Sequence, residues 1–171
     1  MEELFETCTL DGKATGLVPR SRVHSEGLWH RATNVFLFRP DGRLLLQRRQ
    51  LSKAVCPGAW DLSVAEHLKP GESYLDGAIR GLREELDVEG VVLEPLGGIA
   101  YLRLEIAETG LRDYELQQTF QGVSDCPVRP DPDEVLEVRT VTLAELRTAF
   151  NERPTDFTPW FRQRAADLLL D

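Results

Sequence analysis

The stretch Glu66 to Val91, EHLKPGESYLDGAIRGLREELDVEGV, constrains the fold more than any other part of the chain. Pro70-Gly71 marks a turn, and the residues after it read as a helix that ends before Gly90. Leu75, Ala78, Ile79, Leu82 and Leu86 recur at i, i+3, i+4, i+7 and i+11, which predicts one apolar stripe. Gly77 and Gly81 fall off that stripe, beside Glu84 and Glu85. A glycine inside a helix costs roughly 1 kcal/mol relative to alanine, so two of them need a reason. Close packing against a neighbouring element is one reason, and clearance for a ligand beside an acidic face is the other. Glu72 lies just before the first turn, Glu84 and Glu85 lie on the last turns, and Arg80 sits one turn before Glu84. Carboxylates that close together repel unless a cation compensates, and their oxygens suit a hard ion such as Mg²⁺ or Mn²⁺.

The segments around this stretch are predicted to be mainly strands. Residues 1–30 read as a short β arm, with turns at 11–13 and near Gly16. Thr33–Phe38 (TNVFLF) is a β-branched and aromatic strand. Pro40-Asp41-Gly42 then turns the chain into a return strand at 43–48. Further strands are expected at 60–65, 91–94, 98–106, 114–122 and 135–141. Thr142-Leu-Ala-Glu145 is a capping box that opens a helix to about Phe150. Thr158-Pro159 opens a last helix to about Leu170. Mostly antiparallel strands with one central and two C-terminal helices predict an α+β domain, an α/β/α sandwich over residues 1–171.

Composition narrows the function classes. A net charge of −9 in 171 residues argues against general nucleic-acid binding, which shows a basic footprint. A small anionic substrate stays compatible if a metal and a few local cations neutralise it. No apolar run reaches the ~20 residues of a membrane span. The acidic start MEELFETCTLDGK does not read as a signal peptide. Cys8, Cys56 and Cys126 are scattered with no CxxC, so free thiols and a cytoplasmic location are expected. Trp29, Trp60, Tyr101 and Trp160 are either core residues or a stacking surface for a base.

The central stretch resembles the Nudix box, G-x5-E-x7-R-E-U-x-E-E-x-G-U, where U is apolar. Glu72 falls on the first Glu, Arg80 on the Arg, Leu82 on the apolar position, Glu84 and Glu85 on the paired acids, and Val88 on the last apolar position. Three positions depart from it: Glu66 replaces the first Gly, Gly81 the Glu after Arg, and Asp87 the last Gly. The resemblance runs from about Gly12 to Leu170 and implies a Nudix-type sandwich with a mixed central sheet. It implies that Glu84 and Glu85 bind a catalytic Mg²⁺ or Mn²⁺ together with the Ala65 carbonyl, with Glu72 and Arg80 orienting them. The acid missing at Gly81 would be replaced by water or by a carboxylate from elsewhere, with Glu115 the best candidate.

RVHSEGLWHRATNVFLF, LLLQRRQLSKAVCPGAWDLSVAEHL, DYELQQTF and FTPWF resemble the isopentenyl-diphosphate isomerase branch of the same fold. That branch implies a second metal site at His24, His30, His67, Asp113 and Glu115, the set that includes all three histidines of the chain. It also implies a diphosphate grip by Arg20, Arg49 and Lys53. The isomerase's catalytic cysteine falls on Ala65. The expected activity is therefore metal-dependent hydrolysis of a small diphosphate-containing substrate, most readily a nucleoside di- or triphosphate. An isomerase-like protein and a non-catalytic diphosphate binder are the alternatives.

Overall fold

The computed structural model describes residues 1–170. The strands are β1 (Leu4–Cys8), β2 (Ala14–Pro19), β3 (Trp29–Phe38), β4 (Leu44–Arg49), β5 (Trp60–Asp61), β6 (Val64–His67), β7 (Glu94–Ile106), β8 (Leu111–Val123) and β9 (Val135–Val141). The helices are α1 (Arg20–Glu26), α2 (Tyr74–Leu86), α3 (Leu143–Glu152) and α4 (Pro159–Leu168). All nine strands join one mixed sheet. Its hub is β3, which pairs parallel with β8 and antiparallel with β1, β4 and β6.

Both faces of β3 are covered, which explains why TNVFLF is apolar without alternation. The period of two sends Val35 and Leu37 to one face, where they pack with Leu45, Val64, Ala78, Leu82 and Leu86. Phe36 goes to the other face, with Leu44, Leu46, Leu146, Phe161 and Ala165. The sheet thus lies between α2 on one side and α3 and α4 on the other, the expected sandwich. Each fully buried Leu or Phe contributes about 1.5–3 kcal/mol relative to exposure.

Several elements differ from the sequence reading. The N-terminal arm contains a helix, α1, bounded by Pro19 and by Gly27 in the left-handed conformation (φ 68°). Only Val23 of α1 is buried, so the helix has no apolar stripe to announce it. The strands expected at 91–94 and 98–106 are replaced by one long β7, whose register shifts between Leu96 and Ala100. The glycines there mark a bulge rather than a loop.

The buried face of α2 also differs. Leu75 and Ile79 are exposed (41% and 45%), whereas Gly77, Ala78, Arg80, Gly81, Leu82, Glu85 and Leu86 are buried. The two glycines face the sheet instead of lying away from the packed side. A Cβ on Gly77 would sit 2.3 Å from Leu68 Cδ2, and one on Gly81 would sit 2.5 Å from Val64 Cγ1. Close docking of α2 on β6 is therefore what requires them. The helix starts at Ser73, whose hydroxyl accepts from the Asp76 N–H. It stops at Asp87, which takes the left-handed conformation (φ 55°) where the box has Gly. Short polar side chains tolerate that region, so this departure leaves the turn intact.

Candidate active site and metal centre

Strand β6 divides two groups of functional side chains. Alternation turns Val64 and Glu66 toward α2, and Ala65 and His67 toward the opposite face. On the α2 side, Arg80 organises the carboxylates. Its Nε and Nη2 donate to the two oxygens of Glu72 at 2.8 and 2.9 Å, a bidentate pair. Nη2 also donates to the His67 carbonyl at 2.8 Å. Nη1 lies 3.1 Å from Glu66 Oε2 and 3.2 Å from Glu84 Oε2. Hydrogen bonding to Glu72 raises the Arg80 pKa further, so the guanidinium stays charged at every working pH.

Glu85 is buried and accepts from Gln47 Nε2 at 2.7 Å. Burial, followed by the Glu66 charge, pushes its carboxyl up to about 8. Burial likewise raises Glu66. One guanidinium therefore faces Glu66, Glu72 and Glu84, with Glu85 behind them and Lys69 Nζ 3.7 Å from Glu84.

On the other face, α1 supplies His24, β3 His30, β6 His67, and β8 both Asp113 and Glu115. The strand register accounts for the meeting of the strand residues, since His30 pairs with Glu115 and Ala32 pairs with His67. One nitrogen from each histidine and one Asp113 oxygen all lie within 4.8 Å of one another. His30 Nε2 and His24 Nε2 are 3.3 and 3.5 Å from Asp113 Oδ1. These contacts do not make hydrogen bonds, and all three atoms are buried without a partner. His30 Nδ1 donates to the Leu28 carbonyl at 3.0 Å, which fixes the tautomer and turns the Nε2 lone pair inward. Burial, then the neighbouring His30, lowers His67 to about 3, so its ring is neutral. Burial, then the Asp113 charge, raises Glu115 to about 7. Burial opposes ionisation of Asp113 too, but His24 and His30 outweigh it and hold this carboxyl well below its ordinary range. Phe5 packs against all three imidazoles with ring centroids 4.7–5.7 Å away.

A cavity of about 150 Å³ opens beside the histidines. Arg20, Asn34, Arg49, Ala65, Glu115 and Trp160 are among its walls. Arg49 is held by Asp61 at 3.3 Å and lies over the Trp160 ring. Arg20 pairs with Glu3 at 2.9 Å. The third cation expected in the grip, Lys53, is instead paired with Glu134 and is not among the cavity walls. Glu115, expected to stand in for the acid missing at Gly81, joins the histidines: His67 Nε2 lies 2.9 Å from it, and Gln117 donates to it at 2.6 Å. The carboxylate beside Gly81 is Glu66, whose Cβ would lie 3.4 Å from a Cβ on residue 81.

The NUDIX domain model matches residues 28–161. The chain belongs to the Nudix family. An isopentenyl-diphosphate Delta-isomerase of Cereibacter sphaeroides is 38% identical over 147 residues, covering 85% of this chain and 81% of that protein. One of Streptomyces griseus is 36% identical, covering 92% and 79%. An uncharacterised Nudix hydrolase of Pseudomonas aeruginosa is 40% identical, covering 81% and 78%. The fold matches a crystal structure from Deinococcus radiodurans with a TM-score of 0.71 at 24% identity, covering 88% of this chain and 90% of that one. This Nudix chain is accordingly an enzyme of the diphosphate-acting type. Among the described residues no helix is long and apolar enough to cross a membrane.

The family implies a divalent metal, and the side chains present fit one. Buried, partnerless His24 Nε2, His30 Nε2 and Asp113 Oδ1 converge at the histidine cluster. Their mixed nitrogen and oxygen donors suit Mn²⁺ or Zn²⁺ better than Mg²⁺. The all-oxygen group on the α2 side suits Mg²⁺ or Mn²⁺.

Proposed function

We propose that this Nudix protein hydrolyses a small diphosphate-containing substrate with the help of a divalent metal held on the α2 side. Glu84, Glu85 and the Ala65 carbonyl are the assigned ligands, and Glu72 acts through Arg80 to keep Glu84 in place. The metal, when bound, polarises a phosphoryl oxygen and lowers the pKa of a water molecule. Arg20 and Arg49, at the cavity wall, would neutralise the diphosphate and orient it. A cavity of about 150 Å³ has room for a six-carbon ring, so a whole nucleoside would extend beyond it.

The observation that carries hydrolysis over isomerisation is the methyl group of Ala65. Moving a proton across an allylic system needs an acid or base on each face of the substrate. Glu115 can serve one face. Opposite it no thiol lines the cavity among the described residues. Glu66 borders the cavity, but its Cβ and Cγ pack beside Gly81 and its carboxylate is bonded to Arg80.

Isomerase-type chemistry is the second reading. The names of the relatives at 36–38% identity favour it, as do the convergent histidine cluster and the small cavity. A panel of nucleotides, nucleotide sugars, dinucleotides and prenyl diphosphates, with and without Mg²⁺, separates the readings. Hydrolysis predicts Mg²⁺-dependent release of a phosphate-containing product from at least one compound. Conversion of isopentenyl diphosphate to dimethylallyl diphosphate, with no release from any compound, would replace it with the second reading.

A further inference from the structure

We infer that Glu66 supplies the metal-directed carboxylate that the helix lacks at Gly81, so that an acid and a glycine have exchanged places between β6 and α2. The inference rests on the metal assignment proposed above and adds one residue to it. The two departures are complementary: glycine is expected at 66 and glutamate at 81, and the chain has the reverse. The packing accounts for the glycine at 81 and sets the stem of Glu66 beside it. Glu66 Cβ and Cγ would lie 3.4 and 3.8 Å from a Cβ on residue 81, while Val64 Cγ1 would be only 2.5 Å from it. Val64 is fully buried and β-branched, so it has little freedom to move aside. A glutamate at 81 therefore has no room while Val64 occupies that face, and Glu66 is the acid on the strand beside it.

The direction of the Glu66 carboxylate agrees with this. It approaches Arg80 Nη1 at 3.1 Å, and Glu84 reaches the same nitrogen at 3.2 Å. The Glu66 and Glu84 carboxylates thus meet at the same guanidinium nitrogen, and Glu66 directly follows Ala65 in the chain.

Mn²⁺ binding to the full chain tests this in a His24→Ala background that disables the histidine cluster, with free Mn²⁺ read by electron paramagnetic resonance. Glu66→Gln is nearly isosteric and keeps a carbonyl acceptor for Arg80, so folding is preserved while the anionic ligand is removed. The Glu66→Gln and Glu85→Gln variants are both expected to bind Mn²⁺ at the α2-side site about tenfold or more weakly. Glu115→Gln, on the other face, is expected to leave that site unchanged. Weakened binding in Glu85→Gln with wild-type binding in Glu66→Gln would overturn the inference and leave the metal assignment standing. Wild-type binding in both variants would overturn the assignment as well.

Discussion

With Glu85 as a ligand, as proposed, its buried carboxyl should make metal binding strongly dependent on pH. It is held at about 8 by burial and by the Glu66 charge, far above an ordinary glutamate. A metal binds only the ionised form, so it must displace a proton over most of the physiological range. Well below pH 8 the apparent affinity should rise about tenfold per pH unit, about fiftyfold in all from pH 6 to 8, and then level off. Glu115, at about 7 on the opposite face, adds a shallower dependence at the histidine cluster. His67, at about 3, is already neutral in this range and adds nothing. The stability of the metal-free protein should move the other way. The folded carboxyl keeps its proton up to about 8, whereas an unfolded glutamate loses it near 4.5. Between these values the unfolded state binds fewer protons, so raising the pH weakens the fold, and metal should restore it. Calorimetric Mn²⁺ titrations in buffers of different ionisation enthalpy measure both the affinity and the protons released. Glu85→Gln should abolish the steep dependence of the α2-side site. An affinity constant between pH 6 and 8 in the wild type, with no proton release, would refute the reasoning.

Other substitutions probe the packing and the chemistry. Gly81→Ala should destabilise by about 1–3 kcal/mol despite the better helix propensity, because its Cβ meets Val64 Cγ1 at 2.5 Å. Gly77→Ala should cost less, since the obstacle there is the end of the flexible Leu68 side chain. Urea denaturation ranks the two, and a stabilised Gly81→Ala would contradict the tight docking of α2. Ala65→Cys places a thiol on the cavity wall across from Glu115 and should give measurable isomerisation of isopentenyl diphosphate by product chromatography. No gain would show that more than the missing thiol prevents that reaction.

Much of this architecture could be read from the sequence, for physical reasons. The β-branched and aromatic run TNVFLF announced β3, and the capping box at Thr142 announced α3. Three histidines in separate segments meet as the resemblance implied: the register of β3 with β6 and β8 brings His30 and His67 together, and α1 supplies His24. The orientation of α2 was less legible. A stripe counted by hydrophobicity gives weight to Leu75 and Ile79, but a helix that docks through glycines buries the residues beside them instead. Lys53 was assigned from likeness alone, and its pairing with Glu134 depends on a loop conformation with no sequence signal. The proximity of Glu66 to Gly81 did have a signal, since the two departures from the box were opposite in kind. Their contact is long-range, and only the docking of α2 on β6 displays it.

The central claim is that the cavity offers an acid to one face of a substrate and a methyl group to the other. Incubating the Mg²⁺-loaded protein with isopentenyl diphosphate in D₂O, followed by proton NMR, tests it most directly. No deuterium is expected to enter the carbon chain and no dimethylallyl diphosphate to form. Deuterated dimethylallyl diphosphate accumulating with turnover would contradict it.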